Sequence, residues 1–207
     1  MESKLPKPPL KIGITGGIGS GKTTVCRVFE VLGIPVYYAD DRAKWLMAND
    51  EELIGKVKAI FGAAAYDKSG QLNRAHIAKL AFGNEGLLQQ LNVAVHPAVG
   101  KDAEEWHAEK SGMPYTLKEA ALLYESGSFE RLDAVIVVTA PEEVRLQRVM
   151  ERDGAEEEAV RARMRKQMPE KEKARRADYI IENDGQHSLI RQVRSIHQEL
   201  TNHYDQV

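Results

Sequence analysis

The chain lacks most of the features that tie a protein to a particular surface or compartment. Its 207 residues include one cysteine, Cys26, so no intrachain disulfide framework can form, which fits a reducing compartment. Neither sign of charge is in surplus: 29 Lys and Arg face 31 Asp and Glu, for a formal net charge of -2. That balance does not suggest a nucleic acid or a membrane surface as partner. No apolar run approaches the length of a membrane span. The opening "MESKLPKPPL" holds Glu2 and three prolines and has no apolar h-region, so it reads as a short tail and not as a signal peptide. Internal repeats are absent too. The expectation is a cytoplasmic protein, a monomer or small homo-oligomer, with no nucleic acid or membrane partner. At this length one compact domain with insertions is the default.

What the chain does have is "KIGITGGIGSGKTTV", Lys11 to Val25. Lys11 to Thr15 alternates apolar and small residues and reads as a strand. Gly16 to Thr23 fits G-x-x-x-x-G-K-S/T, the Walker A loop. Val25, Val28, Phe29 and Leu32 then recur at helical spacing, and Gly33 ends that helix. A strand before and a helix after turn the pattern into a site. Gly17, Gly19 and Gly21 permit backbone angles that aim N–H groups inward as an anion nest. The helix N-terminus adds positive potential beside Ser20, Lys22, Thr23 and Thr24. Lys22 is expected to neutralise β- and γ-phosphate oxygens, and the Thr23 hydroxyl to ligate Mg2+. A nucleoside triphosphate is the expected ligand.

Further along, "IPVYYA", "DAVIVVTA" and a short stretch at Tyr179 to Ile181 read as strands and "YTLKEAALLYE" opens as one, with helical segments between them. Alternation of this kind predicts an α/β fold with a parallel sheet. Ligands then bind beyond the carboxyl ends of the strands, on the rim shared by the glycine loop, Asp40 and the end of "VIVVTA". Asp40 follows its strand directly. A carboxylate there can take a proton from an attacking hydroxyl, orient it, or support Mg2+. Asp40 or Asp41 also suits capping of the next helix, and the residues alone leave both roles open. Arg145, Arg148 and Arg152 are three and four apart on one predicted helix, a cationic face suited to a triphosphate or, if balanced by Glu142, Glu143 and Glu151, an ordinary solvated face. Glu151 to Arg176 is charged at more than half its positions and has a thin apolar stripe of Val160, Met164 and Met168. It suits a mobile lid or, equally, an ordinary exposed charged helical pair. His96 before Pro97 reads as a turn or cap residue, and Cys26 as packed core.

Together "GITGGIGSGKTTV", "GIPVYYAD", "HP", "LLYE", "VIVVTAPEEVRLQRVMERD" and "ADYIIENDG" resemble the dephospho-coenzyme A kinase family over nearly all of Lys11 to Thr201. The resemblance implies transfer of the ATP γ-phosphoryl group to the ribose 3′-hydroxyl of dephospho-CoA, with Mg2+. It implies a P-loop kinase core (residues 1–41, 97–150 and 177–207), a helical acceptor-binding region (42–96) and a helical lid (151–176). By the same resemblance Asp40 activates the hydroxyl, Arg148 contacts ATP, and Asn183 lies on the adenine side. Arg74, His96 and Glu125 match acceptor-side positions. The family's usual P-L-L-F-E is here Ala121-Leu122-Leu123-Tyr124-Glu125, and Asp41 adds a second carboxylate.

Two other readings stand beside this one. Another P-loop kinase, of a nucleoside monophosphate or a small metabolite, would share the core and differ over Arg42 to His96. A nucleotide-driven switch would want a DxxG and an NKxD. Asp67 to Gly70 matches the first but sits in a polar turn, and no NKxD occurs.

Overall fold

A computed structural model describes residues 7–81 and 83–206. Residues 1 to 6 of the expected tail lie outside the described residues. The chain divides into two compact units, one of residues 39–105 and one of the remainder.

The larger unit is built on a five-stranded sheet of β1 (Leu10–Thr15), β2 (Val36–Tyr38), β3 (Tyr115–Glu119), β4 (Ala134–Thr139) and β5 (Tyr179–Glu182). The strand order is β2-β3-β1-β4-β5. Every pairing is parallel, as expected from the alternation of strands and helices. Central strands of such a sheet are covered on both faces, which is why β4 reads as an unbroken apolar run. Helices α1 (Lys22–Val31) and α9 (Leu189–Gln206) supply Phe29, Val193 and Leu200 to one core cluster with Ile14, Leu117 and Ile136. Phe29 meets Tyr115 edge-on, with ring centroids 6.3 Å apart.

One apolar position of α1 moved. Leu32 was expected in the buried stripe but is 40% exposed, while Ile34 is 3% exposed. Gly33 takes φ +82°, and the turned-back chain lets the Ile34 N–H donate to the Phe29 carbonyl. The left-handed helix end thus delivers Ile34 to the core in place of Leu32. It also shortens the predicted strand at residues 34–39, because Ala39 already opens the next helix.

That helix, α2 (Ala39–Asn49), begins the second unit, with α3 (Glu51–Phe61), α4 (Arg74–Ala81) and most of α5 (Glu85–Ala108). Asp50 caps α3 by accepting the Leu53 N–H at 2.8 Å, and Leu53, Val57 and Phe61 form its buried face. Asp67 accepts the Ser69 and Gln71 N–H groups, so the DxxG match is turn chemistry. His96 and Pro97 do not form a turn. They lie inside α5, where proline removes one N–H, and exposed Val93 keeps the freed carbonyl close to solvent.

The charged segment after α6 (Glu142–Asp153) forms α7 (Glu157–Arg165) and α8 (Glu170–Arg175). It is better docked than its composition suggests. Val160 is fully buried against Leu146 and Val149, and Lys173 has no exposed surface. Among the described residues no helix is long and apolar enough to cross a membrane.

One buried contact makes stability depend on pH. The Tyr115 hydroxyl and His197 Nδ1 share a hydrogen bond of 2.8 Å, and burial lowers the His197 pKa from its ordinary 6.5. The folded state therefore favours neutral imidazole. As pH falls below about 6.5 the unfolded chain gains a proton sooner, and this contribution is lost. His197→Phe should flatten the denaturation-midpoint profile between about pH 7 and 5 relative to the parent chain. Parallel profiles would show that His197 does not titrate on unfolding.

Candidate functional site

The glycine loop fills the gap between β1 and α1. Gly19 and Gly21 take φ +81° and +88°. A Cβ on Gly19 would lie 2.4 Å from the Arg145 backbone oxygen, so the loop is pressed against the backbone of α6. The Ser20 N–H donates to the Gly17 carbonyl at 3.0 Å, and Asn183 Nδ2 donates to the Ser20 carbonyl at 2.8 Å. Asn183 therefore lies directly against the loop. No side chain caps α1 and no acid stands in its first turn, leaving the helix's positive end to an anion. Lys22 Nζ donates to the Gly16 carbonyl at 3.2 Å and lies 3.9 Å from Glu119 Oε1. Thr23 and Thr24 are exposed on the first turn of α1.

The two neighbouring aspartates differ. Asp41 is paired with Lys44 at 2.7 Å. Asp40 is exposed, with no hydrogen bond or ion pair among the described residues. It follows Tyr38, the last residue of β2, by two positions, and Tyr38 is in register with Glu119. Arg74 opens α4 and is exposed, as is His96 on α5.

The three arginines of α6 separate into different roles. Arg145 is buried, donating from Nε to the Ala140 carbonyl at 3.1 Å and lying 3.3 Å from Glu170 Oε2. Arg152 is paired with Asp153, an ordinary surface contact. Arg148 has a buried Nη1 with no hydrogen-bond partner. Glu142 and Glu143, which would balance these arginines on a solvated face, instead hold Arg161 of α7.

Residues 10–188 match the family model described as dephospho-CoA kinase. The chain belongs to the dephospho-CoA kinase family. A dephospho-CoA kinase of Salinibacter ruber is 43% identical over 84% of this chain and 88% of its own length. One of Bacteroides fragilis is 37% identical over 89% of each. Among solved structures, a Thermus thermophilus protein superposes with TM-score 0.81 at 37% identity, covering 94% of this chain and 99% of its own. The dephospho-CoA kinase of Campylobacter jejuni superposes with TM-score 0.69 at 27% identity, covering 93% and 97%.

Glu125 has two partners within its own unit. It accepts Lys173 Nζ at 2.9 Å and the Met168 N–H at 2.9 Å. Burial would raise its pKa, but these two hydrogen bonds win and the net shift is downward. Glu170 goes the other way: burial outweighs its Arg145 partner and raises it.

Sequence reasoning missed Glu119, Gln167, Glu170 and Lys173. Glu119 had a signal, since it ends the strand "YTLKE" as Asp40 follows "IPVYYA". The other three sit in a charge-rich run where no spacing marks a buried residue. Gln167 Oε1 nevertheless accepts the Ile18 N–H of the glycine loop at 2.8 Å.

Gly19→Ala should disrupt the loop on two counts, a left-handed backbone and the Arg145 carbonyl at 2.4 Å. Nucleoside triphosphate affinity should fall by about tenfold or more, a lost contribution of roughly 1.4 kcal/mol. Unchanged affinity by titration calorimetry would mean that the loop adapts and is not held by α6.

Proposed function

We propose that this chain transfers the γ-phosphoryl group of ATP to the ribose 3′-hydroxyl of dephospho-CoA, giving coenzyme A and ADP. One observation carries the reading. A Walker A loop with a half-buried lysine lies beside a strand-end glutamate, in a chain that matches the dephospho-CoA kinase family over residues 10–188.

In this reading the loop from Gly17 through Ser20 to Thr24 cradles the phosphates, with the amides of Gly19, Gly21 and Thr24 turned to them, and Lys22 turns from the Gly16 carbonyl to the β- and γ-oxygens. Arg148 neutralises charge on the transferring group with the nitrogen it leaves unpartnered. Asp40 accepts the 3′-hydroxyl proton as the new P–O bond forms and the bond to the β-phosphate breaks. Asp40, and not Asp41, takes this role because the Asp41 carboxylate is held by Lys44. Asn183 keeps the loop in register through the Ser20 carbonyl. Arg74 and His96, both exposed on the helical unit, are assigned to the acceptor, whereas Glu125 is assigned to holding Lys173.

The donor set also suits Mg2+. The Thr23 hydroxyl and the Glu119 carboxylate are hard oxygen ligands, and Glu119 is 7% exposed. No group of three or more His, Cys, Asp or Glu among the described residues could hold a metal without help. That fits an ion carried in on phosphates with several waters retained. When bound, Mg2+ supplies neutralisation of the β- and γ-oxygens.

ATP consumption should rise with dephospho-CoA and not with adenosine monophosphate, and the product should be coenzyme A. Stimulation by the monophosphate alone would leave the kinase core and remove this acceptor. Lys22→Ala should abolish most transfer. Asp40→Asn should lower kcat by about 10²–10⁴-fold with ATP affinity nearly kept. A loss of that size in Asp41→Asn, with Asp40→Asn active, would move the base by one residue.

A further inference from the structure

The segment 167–173 is short, strongly charged and poor in apolar surface, yet its contacts converge. Gln167 Oε1 accepts the Ile18 N–H at 2.8 Å. Glu170 Oε1 accepts the Ala140 N–H at 3.2 Å, while its other oxygen lies 3.3 Å from Arg145 Nε and packs against Gly17, 3.2 Å from where a Cβ would stand. Lys173, with no exposed surface, donates to the Ala121 carbonyl at 2.9 Å and pairs with Glu125. Three loops are joined in this way: the glycine loop, the turn after β4 and the turn after β3. Each leaves the carboxyl end of a strand.

Apolar burial cannot explain this placement. α8 has six residues, and the only buried one is Lys173. A buried ammonium is costly unless its partners are in place, so the segment has one favourable position. In that position Gln167 and Glu170 meet the outer side of the same loop whose inner side is the anion nest. The Ile18 amide is thereby given a fixed acceptor from outside, and Gly17 is confined by the Glu170 carboxylate, which would lie 3.2 Å from a Cβ there. That restricts the peptide planes on which the inward-facing amides depend.

We propose that Gln167 and Glu170 are positioning residues for the glycine loop, acting from outside it, with Lys173 as the anchor that sets their location. They touch neither nucleotide nor acceptor. They hold the loop in its binding shape before the nucleotide arrives, and so make ATP affinity depend on the root of the lid. The proposal rests on the kinase reading only for the identity of the molecule that fills the nest.

The test is ATP binding by the intact chain with Mg2+ and no acceptor, measured by calorimetry for the parent, Gln167→Met and Glu170→Gln. Amide hydrogen exchange over residues 16–21 and melting temperature are measured without nucleotide. Gln167→Met should weaken ATP binding by about 3- to 10-fold, the scale of one lost hydrogen bond, and speed exchange in the loop. Glu170→Gln should shift both in the same direction. The acceptor KM and the melting temperature should stay near the parent values. Unchanged ATP affinity in both variants overturns the proposal. So does weaker affinity accompanied by an equal rise in acceptor KM and a lower melting temperature, which marks simple packing. A parent chain that binds ATP but does not phosphorylate dephospho-CoA removes the acceptor assignment and leaves this test intact. A parent chain that binds no ATP overturns both.

Discussion

The Arg145 carbonyl oxygen occupies the space that a side chain on Gly19 would need. That close approach ties α6 to the glycine loop, and much of the rim follows from it. With α6 held there, the Arg145 side chain reaches back to the Ala140 carbonyl and to Glu170. One turn later, Arg148 keeps a buried Nη1 without a hydrogen-bond partner. The loop is not flexible because it is rich in glycine. It is glycine-rich because another backbone lies against it, and the left-handed angles at Gly19 and Gly21 are the geometry that lets both chains fit.

Around this contact the rim concentrates ion pairs that are largely removed from water: Lys22 with Glu119, Arg145 with Glu170, and Lys173 with Glu125. Pairs of this kind contribute little net stability, since desolvation offsets most of the attraction. Their effect is on geometry, because each charge has few arrangements in which it is satisfied. The Lys22 pair is the loosest, at 3.9 Å, and also the one that the proposed chemistry must open. The Lys173 pair is short and fully buried on the lysine side, as suits an anchor. The raised pKa of Glu170 belongs to the same picture, for there burial outweighs a nearby arginine.

The core was legible because it rests on local rules. The strand–loop–helix of residues 10–31, the apolar run of β4 and the turn at Asp67 all follow from periodicity and turn chemistry. The errors came where tertiary contacts override such rules. Leu32 and Ile34 exchanged places because Gly33 turned the chain back. His96-Pro97 stayed helical because a long helix tolerates one missing N–H beside solvent. The charged segment looked unanchored because a buried lysine has the same letter as an exposed one. Likewise no spacing rule distinguishes Arg145, Arg148 and Arg152, which share a face in sequence. Their partners, Glu170 and Asp153, lie outside the set of acids that the sequence placed nearby.

Two of the polar atoms left without partners suit the anion that the proposed function brings to the rim. Buried donors and acceptors are nearly always satisfied within a folded chain, and each exception is costly. Among the described residues the exceptions are Arg148 Nη1, Ser20 Oγ, Tyr124 Oη and Glu170 Oε2; the first lies on the helix packed against the glycine loop and the second within the loop. Neither helps the resting fold, and both atoms suit phosphate oxygens. Arg145, on the same helix, keeps its partners and serves structure, whereas Arg148 forgoes one. In the proposed function, a helix with arginines three positions apart supports the loop with one and reserves a charge for the ligand with the next. The expense of that reserve is borne by the resting state and is recovered when an anion arrives, so it favours the loaded protein over the empty one.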